Sequence, residues 1–278
     1  MVINMEEKLI NILKYFFLGL LQGITEVLPI SSSGHLQIAN EMLNISDNSI
    51  TLSVFLHLAS LIAVLVFLRE ELITLIIGFF GFIFKDRNKY KAQFMLVIYL
   101  FVTTFVLVVF TVIVKLLGFN QSPLWLVGLC LVINAIMLFI FGTFTGSKTL
   151  DEITFKDAII IGAFQCIGSF SGISRSGSCL CGCQVQKIEK KSSAKYAFLL
   201  FIPAVLGAFV LELGGISELF VDAENIYLYL ISFIVAGITT YFAFAFLKKI
   251  IEKGKITYFG IYCAILGIIV FIYSLIKM

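Results

Sequence analysis

Two short runs hold most of the polar side chains that could do chemistry. The first carries Gln22, Glu26, Ser31, Ser32, Ser33 and His35; the second carries Ser174, Arg175, Ser176, Gly177 and Ser178. Gln22 and Glu26 are four residues apart, so they share one helix face. Pro29 then interrupts the helix ahead of a Ser-Ser-Ser-Gly-His run. A Gly/Ser turn of that kind can present several backbone N–H groups to an anion. Arg175 adds a planar, permanently charged fork that matches phosphate oxygens. His35 can serve as base, acid or nucleophile near neutral pH. An acid, an imidazole, a guanidinium and a set of hydroxyls together suit a phosphate group held at a membrane surface.

The background is apolar. Of 278 residues, 60% are hydrophobic and 13% charged, with a mean hydropathy of +1.06. Soluble domains carry about 45–50% apolar and about 25% charged residues, so a water-soluble globular protein is excluded. A net charge of +3 gives no reason to expect a nucleic-acid partner. The six cysteines lack metal-finger spacing and any paired secretory framework. Glu6 and Glu7 beside Lys8 do not resemble a cleavable signal peptide.

A spanning helix needs roughly 20 apolar residues. Six segments qualify, at about 51–68, 93–118, 123–141, 195–214, 227–247 and 256–276. Residues 9–29 and 153–170 are also apolar, but Gly, Ser and Pro interrupt or close them, which predicts broken or re-entrant helices. Residues 72–84 are short and read as interfacial or as a partial span. Placing Lys85, Arg87, Lys89 and Lys91 in the cytoplasm puts 15 basic residues inside and four outside, with both termini outward. The loops at 119–122 and 215–226 carry no Lys or Arg, as outside loops should.

The chain repeats itself at an offset of 143 residues. Gly19, Gln22, Ile24, Ile30, Ser31, Ser33 and Gly34 align with Gly162, Gln165, Ile167, Ile173, Ser174, Ser176 and Gly177. Each half is one broken segment followed by three spans, and an odd number of spans inverts the second half. The expected architecture is therefore an all-α polytopic membrane protein of six transmembrane helices and two re-entrant segments. It forms a single membrane domain, residues 1–278, of two inverted repeats at about 9–141 and 153–276. Such repeats put their working residues near the bilayer midplane, where the two Ser/Gly segments should meet.

Plainer readings compete. Ser and Gly in membrane helices often serve close packing. Glu26 and Arg175 could form a structural ion pair between the repeats. His57 sits in an apolar span without polar company and reads as a packed core or interface residue. Cys179, Cys181 and Cys183 could bind a soft metal, but read better as small residues at a helix start.

The two motifs resemble those of the bacterial undecaprenyl-diphosphate phosphatase family, membrane enzymes linked to bacitracin resistance. The first runs unbroken from Gln22 through Glu26 and Pro29 to His35. The second keeps Gly172-Ile173-Ser174-Arg175-Ser176-Gly177, with Ser171 where the family has Pro and Cys179 where it has Thr. The first change should loosen the turn before Arg175; the second removes a hydroxyl. The resemblance implies that a C55 polyprenyl diphosphate loses its terminal phosphate, giving the monophosphate carrier of cell-wall synthesis. It also implies a site opening to the outer face of the bacterial cytoplasmic membrane, a divalent cation, and is compatible with a homodimer.

Under that reading Glu26, His35, Arg175 and Ser32 carry the reaction. Ser31, Ser33, Ser174, Ser176, Gly177 and Gln22 contact the phosphates. Mg²⁺ or Ca²⁺ is held by Glu26, with Gln22 as a weaker neutral ligand. The nucleophile stays open between Ser32, His35 and water. The rival reading is a transporter that moves a polyprenyl phosphate between leaflets through the same pocket.

Overall fold

A computed structural model of the chain describes residues 5–43, 45, 50–118, 122–144, 146–212, 226–253 and 255–277. Among these residues there is no strand, only an isolated bridge between Lys148 and Ile188. Eleven α-helices follow in order: α1 Met5–Val27, α2 Ser32–Leu43, α3 Ile50–Phe67, α4 Arg69–Phe84, α5 Arg87–Leu116, α6 Leu124–Phe141, α7 Phe155–Ile167, α8 Arg175–Val185, α9 Lys190–Glu212, α10 Ile226–Glu252 and α11 Thr257–Lys277. A short 3₁₀ turn, Leu150–Glu152, precedes α7.

Four of these, α5, α6, α10 and α11, are long and apolar enough to cross a bilayer. The pair α3 and α4, bent by 76° at Leu68, counts together as a fifth. The expected segments at 51–68 and 195–214 fall on α3 and α9; α9 carries Pro203 in its interior, and residues 213–214 lie outside the described residues. The Lys- and Arg-free loop at 215–226 lies almost wholly outside them too. Large apolar side chains such as Phe101, Phe105, Phe242 and Ile265 are exposed on the long helices. That is the surface a lipid solvent accepts and water does not. The chain is a multi-pass, all-α membrane protein.

Helix boundaries follow local chemistry. Asp86 caps α5, its carboxylate accepting from Asn88 N at 2.9 Å and Lys89 N at 3.2 Å. This starts α5 earlier than hydropathy alone places it. Thr154 and Asp157 form a capping box at α7, and Lys148 Nζ donates to Asp157 Oδ2 at 2.8 Å. The first broken segment is a continuous helix to Val27; its break falls at Leu28–Ser31. The second break falls between Ile167 and Arg175. An offset of 143 carries the first residue of α2, Ser32, onto the first of α8, Arg175.

Packing crosses between the halves. Helix α1 lies along α10, α7 along α5 and α6 along α11. Small residues permit the approach. A Cβ on Gly19 would strike the Ser232 carbonyl, one on Gly23 would lie 2.6 Å from the Ala236 oxygen, and one on Gly162 would lie 2.9 Å from Val106 Cβ. Replacing Gly23 with Leu should therefore separate α1 from α10 and cost about 1–3 kcal/mol of overpacking. A lowered midpoint in a detergent thermal-unfolding scan checks this, with Leu13→Ala, at an exposed position of the same helix, as the neutral comparison.

Candidate active site

The two breaks lie against each other. Ser176 Oγ donates to Val27 O at 3.2 Å and Ser174 Oγ reaches Leu28 O at 3.4 Å. Both acceptors belong to the end of α1, where carbonyls have lost their helical donors. Ser174 also caps α8, its hydroxyl accepting from Gly177 N at 3.1 Å. In return Ser31 Oγ accepts from Gly172 N at 3.1 Å and from Gly34 N at 3.3 Å. Ser31 holds a φ of 72° and Gly172 one of 99°. A left-handed non-glycine residue costs about 1–2 kcal/mol, and these two hydrogen bonds offset it. A Cβ on Gly34 would lie 3.0 Å from Gly172 Cα, and one on Gly177 would lie 3.1 Å from Pro29 Cβ. A side chain at either position would have to push its neighbour by a few tenths of an ångström.

Asn134, in the middle of α6, holds both breaks at once. Its Nδ2 donates to Pro29 O at 2.9 Å and its Oδ1 accepts from Ser174 N at 3.0 Å. The side chain is buried. Sequence reasoning misses it, although a lone amide amid an apolar span is itself a signal, because a polar group there is costly without a partner.

Gln22 and Glu26 share the inner face of α1, as their spacing requires, with Gln22 Nε2 2.9 Å from Glu26 Oε2. The expectation for His57 needs correcting. It is not an isolated packing residue: its Nδ1 lies 2.9 Å from Gln22 Nε2 and 3.0 Å from Glu26 Oε2. It looks solitary along α3 because its polar partners sit on α1. Nor do Glu26 and Arg175 form an ion pair; the carboxylate is paired with His57. The Ser32 hydroxyl and, further off, the Arg175 guanidinium face the same carboxylate. Among the described residues Arg175 makes no ion pair, and its Nε is buried without a partner. A cationic fork at the start of a helix, short of a counter-ion, is ready for an anion.

His35 is buried, and its hydrogen bonds determine its tautomer. Nδ1 lies 2.7 Å from the Ser31 carbonyl, which only accepts, so Nδ1 carries the proton. Nε2 is then the basic atom of the neutral ring, and it accepts from the Tyr262 hydroxyl at 2.7 Å. Tyr262 also stacks on the imidazole, with centroids 5.6 Å apart. Nothing in the sequence singles out Tyr262, since tyrosine is common in membrane helices.

The remaining sequence candidates fall around this core. Ser33 is exposed and its Oγ lies 3.3 Å from that of Ser31. The hydroxyls of Ser174 and Ser176 are engaged with the α1 carbonyls, so what those residues and Gly177 offer an incoming anion is the first turn of α8. Ser171, in the place of a proline, donates to Gln37 Oε1 at 3.1 Å and so ties the second break to α2. Cys179, Cys181 and Cys183 are buried and free. Among the described residues no three His, Cys, Asp or Glu side chains gather to hold a metal ion. An ion at Glu26 would therefore complete its ligands with water or substrate oxygens, which is how Mg²⁺ is commonly held in phosphoryl-transfer sites.

If Asn134 carries the breaks, Asn134→Leu strands a buried carbonyl and a buried N–H. Each unpaired group costs about 1–3 kcal/mol. The variant should unfold at lower temperature than Ile136→Ala, at an exposed position of the same helix. Equal midpoints for the two would refute the assignment.

Known proteins resemble the chain over most of its length. The family model described as "Bacitracin resistance protein BacA" matches residues 15–269. A protein named undecaprenyl-diphosphatase from Oceanobacillus iheyensis is 35% identical, covering 97% of this chain and 99% of its own length. One named undecaprenyl-diphosphatase 1 from Bacillus licheniformis is 33% identical over 95% of this chain and 98% of its own. Another, undecaprenyl-diphosphatase 2 from Bacillus thuringiensis, is 34% identical over 96% and 99%. With the family model spanning both breaks and every helix between them, the chain belongs to the BacA bacitracin resistance protein family.

Proposed function

We propose that this protein is an integral membrane phosphatase that hydrolyses undecaprenyl diphosphate to the monophosphate and inorganic phosphate. It thereby recycles the lipid carrier of cell-wall synthesis and confers bacitracin resistance. The observation that carries the reading is the meeting of a carboxylate, Glu26, and an unpaired guanidinium, Arg175, at two mutually bonded helix breaks. The names of the relatives favour hydrolysis over movement of a lipid between leaflets. The protein works in the bacterial cytoplasmic membrane as one domain of two inverted repeats, with its site opening to the outer face. The crossed packing of α1 on α10 and α7 on α5 supports that symmetry.

In this reading the polyprenyl tail lies along the apolar helices and the diphosphate enters between the breaks. Arg175 and the N–H groups at the start of α8 hold the phosphate oxygens and stabilise the charge that develops during transfer. Ser31 keeps the first break in shape beside them, and Ser33 lies at its exposed edge. Glu26 and Gln22 would hold a divalent cation, which when bound neutralises phosphate charge and orients the oxygens. An oxygen nucleophile, the Ser32 hydroxyl or a water, attacks the terminal phosphorus. The anhydride P–O bond breaks, its electron pair stays on the departing lipid monophosphate, and the nucleophile's proton passes to His35 Nε2. For that transfer the Tyr262 hydroxyl must turn away from Nε2. Where Ser32 attacks, a water then attacks the phosphorus of the phosphoserine, the serine O–P bond breaks, the serine oxygen takes the proton back from His35, and inorganic phosphate leaves.

The test is phosphate release from a polyprenyl diphosphate by purified protein in detergent, with Mg²⁺, Ca²⁺ or EDTA. Release should need the cation. Arg175→Ala and Glu26→Gln should each lose about 10²–10³-fold in kcat, the usual scale for removing a group that stabilises the transition state, while remaining monodisperse. Full activity in Arg175→Ala would refute the phosphate clamp, and lipid exchange between leaflets without release would restore the transporter.

A further inference from the structure

Gln22, Glu26 and His57 form a triangle that hydrogen bonding cannot satisfy. Its edges are 2.9, 2.9 and 3.0 Å, between Gln22 Nε2, Glu26 Oε2 and His57 Nδ1. Gln22 has two N–H donors, enough for the carboxylate and the ring nitrogen. But Nδ1 either accepts from Gln22 or donates to Glu26; it cannot do both. One edge always lacks its hydrogen bond. Meanwhile Gln22 Oε1 is buried with no partner at all, in a side chain that is 0% exposed. Turning the amide over keeps its shape and puts that oxygen at the corner of the triangle. Three electron-pair donors then converge: a carboxylate oxygen, an amide oxygen and an imidazole nitrogen.

We infer that these three atoms are one face of an octahedral divalent-cation site, with His57 as its nitrogen ligand. This rests on the cation-assisted phosphatase reading and adds a residue to it. The size agrees: ligands at about 2.0–2.1 Å in octahedral geometry stand about 2.8–3.0 Å apart, whereas Ca²⁺ at about 2.3–2.6 Å needs edges of about 3.3–3.7 Å. The triangle therefore takes an ion of Mg²⁺ or Mn²⁺ size without moving a ligand, whereas Ca²⁺ would spread it by a few tenths of an ångström. The opposite face stays open for water and phosphate oxygens. An imidazole ligand also moves the preference toward transition ions such as Mn²⁺. The repeat builds this face once only: at an offset of 143, Glu26 corresponds to Ser169 and His57 to Leu200.

The chain contains two histidines, His35 and His57, which makes the test unambiguous. Metal-free protein in detergent is titrated with Mn²⁺ alone and examined by pulsed electron paramagnetic resonance for ¹⁴N coupling from a bound imidazole. The coupling is expected in the native protein and in His35→Phe, and absent in His57→Gln. In His57→Gln the ratio of Mn²⁺ to Ca²⁺ affinity should fall by at least roughly 10-fold, the lower end of what losing even an outer partner of a ligand costs. Circular dichroism and gel filtration establish that each variant is folded. Coupling that persists in His57→Gln, coupling absent from the native protein, or no Mn²⁺ binding by folded native protein overturns the assignment. Phosphate release measured on the same preparations keeps the two readings apart. A cation-dependent phosphatase without ¹⁴N coupling refutes His57 as a ligand and leaves the activity standing.

Discussion

A helix that breaks inside a membrane bundle exposes carbonyls that lipid cannot satisfy, at several kcal/mol for each one left unpaired. That constraint governs the whole site. The carbonyls of Val27, Leu28 and Pro29 at the end of α1 receive Ser176, Ser174 and Asn134. The N–H of Gly172 in the other break goes to Ser31. Neither break is satisfied alone, so each is a folding condition of the other. The serines that look like phosphate ligands in the sequence work first as backbone partners. Because they meet that need, the Arg175 guanidinium is not drawn into capping α1 and stays available at the start of α8.

The two halves do not contribute equally. The offset of 143 pairs Ser32 with Arg175 and His35 with Ser178, so the first half supplies acid and imidazole and the second supplies the fixed cation. Packing places these unlike sets face to face. The two turns each carry one left-handed residue, Ser31 and Gly172, and the differences between the turns make a site with a positive and a negative side. Gln165, 143 residues after Gln22, is as deeply buried, yet neither of its amide atoms has a partner.

What the sequence disclosed was what is local. Gln22 and Glu26 on one face, the turn after Pro29 and the Ser-Arg-Ser start of α8 are visible as polar runs in an apolar chain, and they stand together. The apolar segments located most long helices, with α5 starting early because Asp86 caps it. His57, Asn134 and Tyr262 were not legible as site residues. Each stands outside the two polar runs, and its meaning comes from the elements opposite: α1 for His57, both breaks for Asn134, His35 for Tyr262. Periodicity reports a helix's own face and says nothing about which neighbour meets it. The bend between α3 and α4 was half visible, since the short apolar stretch at 72–84 marks a segment unable to span unaided.

Helices α6 and α11 give the imidazole its chemistry from a distance. They pack closely, with a Cβ on Gly128 only 2.7 Å from Phe271 N. Asn134 on α6 fixes the carbonyl of Pro29, and with it the turn whose next link is Ser31. The Ser31 carbonyl fixes the His35 proton on Nδ1, leaving Nε2 as the basic atom. Tyr262, on α11, then stands at Nε2. Helix α6 thus holds the turn that carries the tautomer of His35, and α11 guards the atom that the tautomer makes basic. Moving α11 against α6 would break the Tyr262 contact and keep the proton on Nδ1, because Ser31 and His35 travel together at the start of α2.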